Sequence, residues 1–169
     1  LSYGTRLRVA SFTDSAVEVV LLNGRHAYVH RSVVALHEAG SAWPELAGDR
    51  LVAEVRRFLG LQYLWAGTSG FGYDCSGLTY SVYQALGRTL PRDAGAQSHR
   101  GVRIAARSSL RRGDLVFFRD SLGAIHHVGM YAGEGKMIHA PRTGAAVQIT
   151  SLQTAPYASE FAGGRRFTP

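Results

Sequence analysis

The order of the secondary-structure signals constrains the fold of this chain most strongly. Short runs rich in β-branched residues fill residues 1–40, and Asn23-Gly24 is a hairpin signal because both residues accept positive φ. Two helical patterns follow, and the second half of the chain returns to short apolar runs between glycine turns. Helices placed before antiparallel strands predict an α+β domain, here preceded by a small all-β unit.

The same signals place the domain boundaries. We assign residues 1–40 to the all-β unit, residues 41–48 to a linker and residues 49–169 to the α+β domain. About 40 residues are few for an independent fold, so the first unit is either part of a barrel that begins upstream or one that leans on the next domain. Because the chain starts at Leu1 rather than Met, we expect a processed or truncated start.

Two helices are predicted from apolar residues at helical spacing. In the first, Asp49 is the expected N-cap and Gly60 the stop signal. The second is expected to begin near Cys75, directly after the glycine-rich stretch 66–74, and to stop at Gly87. Cys75 therefore lies at the mouth of a helix rather than within its apolar stripe.

Cys75 is the one cysteine of the chain, so no internal disulfide can form. Backbone N–H groups at a helix start are unpaired, and together with the helix dipole they favour thiolate over thiol. The same N–H groups could hold a developing oxyanion. A cysteine with a purely structural role lies more often inside an apolar stripe. The position between Asp74 and Ser76 therefore predicts a nucleophile.

Two of the seven histidines are candidate partners for that nucleophile. Residues 133–135 predict a hairpin, and a hairpin centred on Gly133 places His127 directly opposite His139. Opposed side chains share one face, and a slip by one residue would separate them. His126 points to the other face in a regular strand and is the weaker candidate. We predict that His127 is the base and that His139 orients it.

Four sequence blocks together resemble the NlpC family of peptidoglycan cysteine peptidases. They stand in the family's order, and an Asp-Cys-Ser-Gly block followed later by His-Val-Gly-Met-Tyr is highly specific. The blocks are LQYLWAG (61–67), FGYDCSGL (71–78), HVGMY (127–131) and MIHAP (137–141). The resemblance implies a papain-like α+β domain over residues 49–169, with Cys75, His127 and His139 as the catalytic triad.

The resemblance also covers residues around the triad and the first 40 residues. It implies that Tyr63 lies beside the nucleophile as an oxyanion donor, and the family commonly has Gly where this chain has Ala66. Through Tyr3-Gly4-Thr5 and Tyr28-Val29, residues 1–40 resemble, more weakly, the bacterial SH3-like barrels that precede this domain in some members.

Residues 91–94 (PRDA) and 137–141 look closest to the subgroup that cleaves freed stem peptides between γ-D-glutamate and a diamino acid. The resemblance implies that Asp74 and Ser76 recognise the free amine of an N-terminal L-Ala, and that Arg92 and Asp93 also contact the substrate.

A carboxylate and a hydroxyl suit an ammonium ion. Because a buried carboxylate is costly unless a cation meets it, Asp74 is expected to gain most when the substrate amine arrives. The alternative is that Asp74 only caps the helix and Ser76 satisfies a first-turn N–H.

Other functions stay open from the sequence: an amidase that cuts the sugar–peptide link, an endopeptidase on intact peptidoglycan, a thiol acyltransferase, or a cell-wall binding module with a silent site. We expect stem peptides or muropeptides as partners, a monomer, no cofactor, no metal and no membrane span.

The net charge of +7 suits anionic polymers or reflects Arg-rich codon usage, and no nucleic-acid motif accompanies it. A secreted, cell-wall-associated or periplasmic location is expected, with cytoplasmic recycling as the alternative.

Overall fold

The structure, a computed structural model, describes residues 1–43 and 45–167. Position 44 of the predicted linker 41–48 and positions 168 and 169 of the predicted domain 49–169 lie outside the described residues. The chain divides into two compact units. The first contains Leu1 and Thr5–Trp43, and the second contains Ser2–Gly4 and everything described after Trp43. The domain limits proposed from the sequence stay predictions.

The described residues contain strands and short helices in the order that the sequence suggested. The strands are β1 (Arg8–Phe12), β2 (Ala16–Val20), β3 (His26–His30), β4 (Thr68–Ser69), β5 (Gly72–Tyr73), β6 (Val102–Ile104), β7 (Leu115–Arg119), β8 (Ile125–Gly133), β9 (Lys136–His139), β10 (Gln148–Ser151) and β11 (Phe161–Arg166). The helices are α1 (Gly48–Arg56), α2 (Cys75–Ala85), α3 (Ala94–Gln97) and α4 (Tyr157–Glu160), with 3₁₀ turns at Arg31–Val33 and Arg107–Ser109. None of the described helices is both long and apolar enough to cross a membrane.

The first unit is a three-stranded antiparallel sheet in the order β1-β2-β3. Strand β2 alternates, and its buried residues Val17 and Val19 carry the apolar face. The predicted turn is confirmed: the Leu21 N–H donates to the Arg25 carbonyl at 2.8 Å, and Gly24 has φ of 77°. This sheet fits an SH3-like region.

The second unit has an α+β fold. Its six-stranded antiparallel sheet has the order β10-β9-β8-β7-β11-β6. Helices α1 and α2 cover one face of it with an apolar core. The buried residues of that core include Leu51, Val55, Leu78, Val82, Leu115, Phe117, Val128 and Met130. Strand β8 alternates, so Val128 and Met130 enter this core and leave His127 for the opposite face.

The opposite face of the sheet has its own smaller core. Phe118 on β7 pairs with His127 on β8, and cross-strand partners share a face. Phe118 packs there with Met137 and with the half-buried Tyr157 and Phe161. This face therefore carries both an apolar cluster and the predicted base.

The start and end of α1 differ from the prediction. Ala47, not Asp49, is the N-cap, and no side chain caps the helix there. Asp49 lies in the first turn, where its carboxylate accepts a hydrogen bond from Arg112 and so does not cap the helix. The helix itself ends at Arg56, and turns continue to Gly60, which has φ of 85°.

Candidate active site

Cys75 is the first residue of α2, as predicted. Asp74 is the N-cap, and its Oδ1 accepts a hydrogen bond of 2.6 Å from the Gly77 N–H. Gly77 must be glycine, because a Cβ there would lie 2.1 Å from the carbonyl oxygen of Gly67. The cap uses the third N–H of the helix and leaves those of Cys75 and Ser76 available near the sulfur.

The thiol of Cys75 has a raised pKa in this structure. Burial is the main cause, and the charge of Asp74 adds to it. Backbone hydrogen bonds from Val128 and Ser76, and one from the Ser76 side chain, oppose the shift without cancelling it. The expectation that the helix start alone favours the thiolate is therefore wrong for the resting protein, since desolvation outweighs the helix N–H groups.

His127 and His139 form a hydrogen-bonded pair. Nε2 of His127 lies 2.8 Å from Nδ1 of His139, and Nε2 of His139 lies 2.9 Å from Oγ1 of Thr150. For Nδ1 of His127 to accept a proton, its Nε2 must carry one and donate to His139. His139 then donates from Nε2 to Thr150, so the chain of hydrogen bonds fixes both tautomers.

The two histidines share one face, as predicted, but their register is different. Tyr131 pairs with Met137, which places His139 next to Gly129 rather than opposite His127. The predicted direct pairing is wrong by two residues, and a shift of two preserves the face. Gly129 leaves room for this diagonal contact: a Cβ there would lie 2.7 Å from Sδ of Met137 and 3.2 Å from Cβ of His139.

Both imidazoles have lowered pKa values. Burial is the main cause for each: it brings the pKa of His139 to about 4 and, with the charges of His139 and His126, that of His127 to about 3. At neutral pH the resting site therefore holds a neutral thiol and two neutral imidazoles. These protonation states favour proton transfer during attack over a preformed thiolate–imidazolium pair.

Acid should destabilise this fold through the same pair. The unfolded histidines bind protons below their ordinary pKa of 6.5, whereas the folded ones stay neutral down to about 4 and about 3. The unfolded state therefore gains protons first, and stability is expected to fall as pH drops below 6.5. Thermal unfolding followed by circular dichroism across this range tests the prediction. His139→Asn should flatten the slope, and an equal slope in both proteins would contradict it.

Tyr157 covers the histidine pair. Its ring centroid lies 5.7 Å from that of His127 and 5.1 Å from that of His139, and it packs edge-on against Phe118 at 5.0 Å. Arg107 holds α4 in place by donating to the Tyr157 carbonyl at 3.3 Å and to the next carbonyl at 2.5 Å. No sequence motif pointed to this residue, because the fold alone brings it to the site.

Asp74 is paired with Arg92. Two hydrogen bonds join them, from Nη2 to Oδ2 at 2.6 Å and from Nη1 to Oδ1 at 3.0 Å. Nη1 also donates to Oγ of Ser76 at 3.0 Å, and that hydroxyl donates to Asp74 at 3.4 Å. Buried Gln97 supports the Arg92 loop by donating to the Pro91 carbonyl at 2.9 Å.

These bonds correct two expectations. The Asp74 carboxylate is already paired with a cation, the Arg92 guanidinium, before any substrate binds. Asp74 does cap the helix, as the alternative held, but Ser76 uses its hydroxyl on Arg92 and Asp74 instead of a first-turn N–H. The Asp93 carboxylate makes no hydrogen bond with the described residues, and its charge adds to the raised pKa of Arg92. Two carboxylates against one guanidinium leave this corner with net negative charge.

Tyr63 lies beside the nucleophile. Burial raises the pKa of its phenol, and the charges of Cys75 and Asp74 add to the rise, so the hydroxyl stays a donor. Its backbone N–H donates to the Ala145 carbonyl at 2.8 Å. Ala66, further along the same loop, has φ of 58°, a left-handed conformation that explains why Gly suits this position.

A single cleft of about 950 Å³ brings these residues together. Seven of the eight predicted site residues line it, while His139 is fully buried behind His127. The lining residues are Tyr63, Trp65, Ala66, Asp74, Cys75, Ser76, Arg92, Asp93, Ala94, His126, His127, Pro141, Arg142, Thr143, Pro156 and Tyr157.

A cysteine at a helix start that shares a cleft with a histidine, which is itself hydrogen-bonded to a second, buried histidine, is the arrangement of a cysteine peptidase. The chain belongs to the NlpC/P60 family, whose sequence model matches residues 60–166.

Relatives and solved structures agree with this assignment. A γ-D-glutamyl-L-lysine dipeptidyl-peptidase of Bacillus cereus is 43% identical over all of this chain, which covers 51% of that protein. The murein DD-endopeptidase MepH of Escherichia coli is 45% identical over 78% of this chain and 50% of its own length. A crystal structure of an NlpC/P60 family protein from Bacillus cereus superposes with a TM-score of 0.95 at 43% identity, covering 100% of this chain and 56% of that one. The chain thus spans about half the length of these proteins.

Proposed function

We propose that this protein is a cysteine peptidase that hydrolyses the γ-D-glutamyl–diamino acid bond of cell-wall stem peptides with a free N-terminal L-Ala, releasing L-Ala-γ-D-Glu. The observation that carries the proposal is a cleft lined by Cys75, at a helix start, and by His127, whose Nε2 is hydrogen-bonded to buried His139. The names of two relatives, both γ-D-glutamyl-L-lysine dipeptidyl-peptidases, support the choice of bond.

The reaction follows from the protonation states of the site. Nδ1 of His127 takes the thiol proton as the sulfur attacks the carbonyl carbon, and the backbone N–H of Cys75 and the Tyr63 hydroxyl hold the oxyanion. The C–N bond breaks as His127 returns the proton to the leaving amine. The same nitrogen then takes a proton from water as the water oxygen attacks the thioester carbon, and it returns that proton to the sulfur as the C–S bond breaks. Nδ1 of His139 accepts a hydrogen bond from the Nε2–H of His127 throughout and stabilises the imidazolium.

The net negative corner of the cleft supports recognition of an amine. Asp74 is bound on one side by Arg92, while Asp93 makes no hydrogen bond with the described residues. An arriving ammonium would balance the second carboxylate, and Ser76 and Arg92 would keep Asp74 in place. Substrate contacts are therefore assigned to Asp74, Ser76, Arg92 and Asp93, with Asp93 carrying the unpaired charge.

A free amine on the substrate should raise the rate. We expect kcat/KM for L-Ala-γ-D-Glu-L-Lys to exceed that of the N-acetylated peptide by about 10-fold, since one charge-assisted hydrogen bond is lost. Asp93→Asn should bring the ratio of the two kcat/KM values closer to one. Asp14 is an exposed carboxylate in the first unit, and Asp14→Asn should leave that ratio unchanged. Mass spectrometry of the released dipeptide measures both rates.

Equal rates on both peptides would contradict amine recognition and favour an endopeptidase that acts on intact peptidoglycan; a murein DD-endopeptidase is among the relatives. The same experiment on a purified muropeptide separates the remaining alternatives. An amidase would release the sugar, an acyltransferase would need an acceptor amine, and a binding module with a silent site would leave the muropeptide uncut.

Two further assignments belong to this proposal. We take the three-stranded unit to be an SH3-like module within residues 1–40, joined through residues 41–48 to a catalytic domain at 49–169; expressing residues 49–169 alone tests whether that domain folds independently. We also propose that the enzyme is secreted, cell-wall-associated or periplasmic. Fractionation of the producing cells, with detection of the protein in each fraction, distinguishes these locations from the cytoplasm.

A further inference from the structure

One end of the cleft carries hydrogen-bond donors that the proposed reaction does not use. Arg142, Thr143 and Tyr157 line this end. Their guanidinium, hydroxyl and phenol groups make no hydrogen bond to any other group in the part of the chain that the structure describes. Arg142 is exposed and Tyr157 is half-buried, so a ligand in the cleft can reach both.

This end of the cleft carries a guanidinium that no carboxylate of the described residues pairs with. The guanidinium of Arg142 lies near enough to the Tyr157 phenol to lower its pKa against the larger effect of burial. The carboxylate of Glu160 raises the pKa of this phenol more than Arg142 lowers it, and Nε2 of His126 lies 3.0 Å from that carboxylate. The Arg142 guanidinium makes no hydrogen bond to a carboxylate of the described residues, so it can meet an anionic group of a ligand.

The proposed reaction determines which end of the cleft holds each part of the substrate. The acyl group stays on Cys75, which shares helix α2 and its N-cap with the acidic corner. The leaving amine takes its proton from His127, and Tyr157 packs against that ring. The leaving amino acid therefore departs past Tyr157 toward Arg142.

We propose that Arg142, with the Tyr157 and Thr143 hydroxyls, forms a subsite for a carboxylate on the leaving amino acid. This rests on the proposed function. The carboxylate has two sources: the free α-carboxylate of a tripeptide's third residue, or the side-chain carboxylate of a diamino dicarboxylic acid. Both suit a guanidinium flanked by hydroxyl donors, whereas a lysine ammonium does not.

The test compares substrates that differ in one carboxylate. L-Ala-γ-D-Glu-L-Lys with a free α-carboxylate is compared with its α-amide, and the α-amides of the lysine and diaminopimelate tripeptides are compared with each other. Because an ion pair between Arg142 and the substrate carboxylate would be exposed to solvent, its contribution should be modest. We expect the substrate that bears the carboxylate to have a kcat/KM about 5-fold higher than the substrate that lacks it. A preference in the first comparison identifies the α-carboxylate as the bound group, and a preference in the second identifies the side-chain carboxylate.

Substitutions assign that preference to the subsite. Arg142→Gln should bring the ratio close to one, and Arg142→Glu should invert it in favour of the lysine amide. Arg103→Gln, an exposed arginine on β6 that does not line the cleft, should keep the wild-type ratio. A ratio of one in the wild type for both pairs, or an unchanged ratio in Arg142→Gln, would overturn the proposal.

Failure of the subsite can be told apart from failure of the proposed reaction. Cys75→Ala protein is titrated by calorimetry with the same uncleaved peptides, so that binding is measured without turnover. Tighter binding of the carboxylate form, lost in Cys75→Ala/Arg142→Gln, supports the subsite even if the wild type cleaves neither peptide. Equal binding of both forms overturns it, whatever the wild type cleaves.

Discussion

Cys75→Ala should abolish hydrolysis of stem peptides, with a fall in kcat/KM of about 10⁴-fold or more, because no other group in the cleft can form the thioester. Cys75→Ser should be equally inactive, since His127 has to deprotonate a far less acidic hydroxyl. Both variants should unfold near the wild-type temperature, because each changes one small, 9% exposed side chain. Release of L-Ala-γ-D-Glu followed by mass spectrometry gives the rate, and wild-type turnover by purified Cys75→Ala would end the peptidase mechanism.

The raised pKa of Cys75 also predicts how the rate of its alkylation depends on pH. Alkylation by iodoacetamide requires the thiolate, so its rate should climb through the alkaline range without an acidic plateau. A plateau that begins below neutral pH would indicate a resting thiolate–imidazolium pair instead. Mass spectrometry of the peptide that contains Cys75 counts the adduct directly.

His127→Ala should lower kcat/KM by about 10³-fold, because the variant loses both the base for the thiol and the acid for the leaving amine. His139→Asn should keep measurable activity, since an amide oxygen can still accept a hydrogen bond from the Nε2–H of His127, and His139→Ala should keep less. His126→Ala is the matched control. This neighbour is partly exposed and bonds Glu160, so its loss should cost less than about 10-fold.

The pattern across the three histidines decides the assignment. An active His127→Ala alongside an inactive His126→Ala would transfer the role of base to His126. Equal losses in His139→Asn and His139→Ala would show that the volume of His139 matters and its hydrogen bond does not. Thermal unfolding of each variant separates these effects from loss of fold.

The local features of this site could be predicted from the sequence. A glycine-rich loop followed by Asp74 and Cys75 specifies a capped helix start, because the cap bond joins residues only three apart. The strands around residues 133–135 specify a hairpin, and the period of two residues keeps His127 and His139 on one face even though their register differs from the prediction by two.

What the tertiary structure alone decided depends on groups that are distant in the chain. Arg92 reaches Asp74 from 18 residues away and supplies the cation that the substrate was expected to bring. Tyr157 arrives with α4 to cover the histidines, and Thr150 arrives with β10 to fix their tautomers. Burial raises the pKa of Cys75 against the local pull of the helix start, because desolvation depends on everything packed around the sulfur, and no stretch of sequence lists those neighbours.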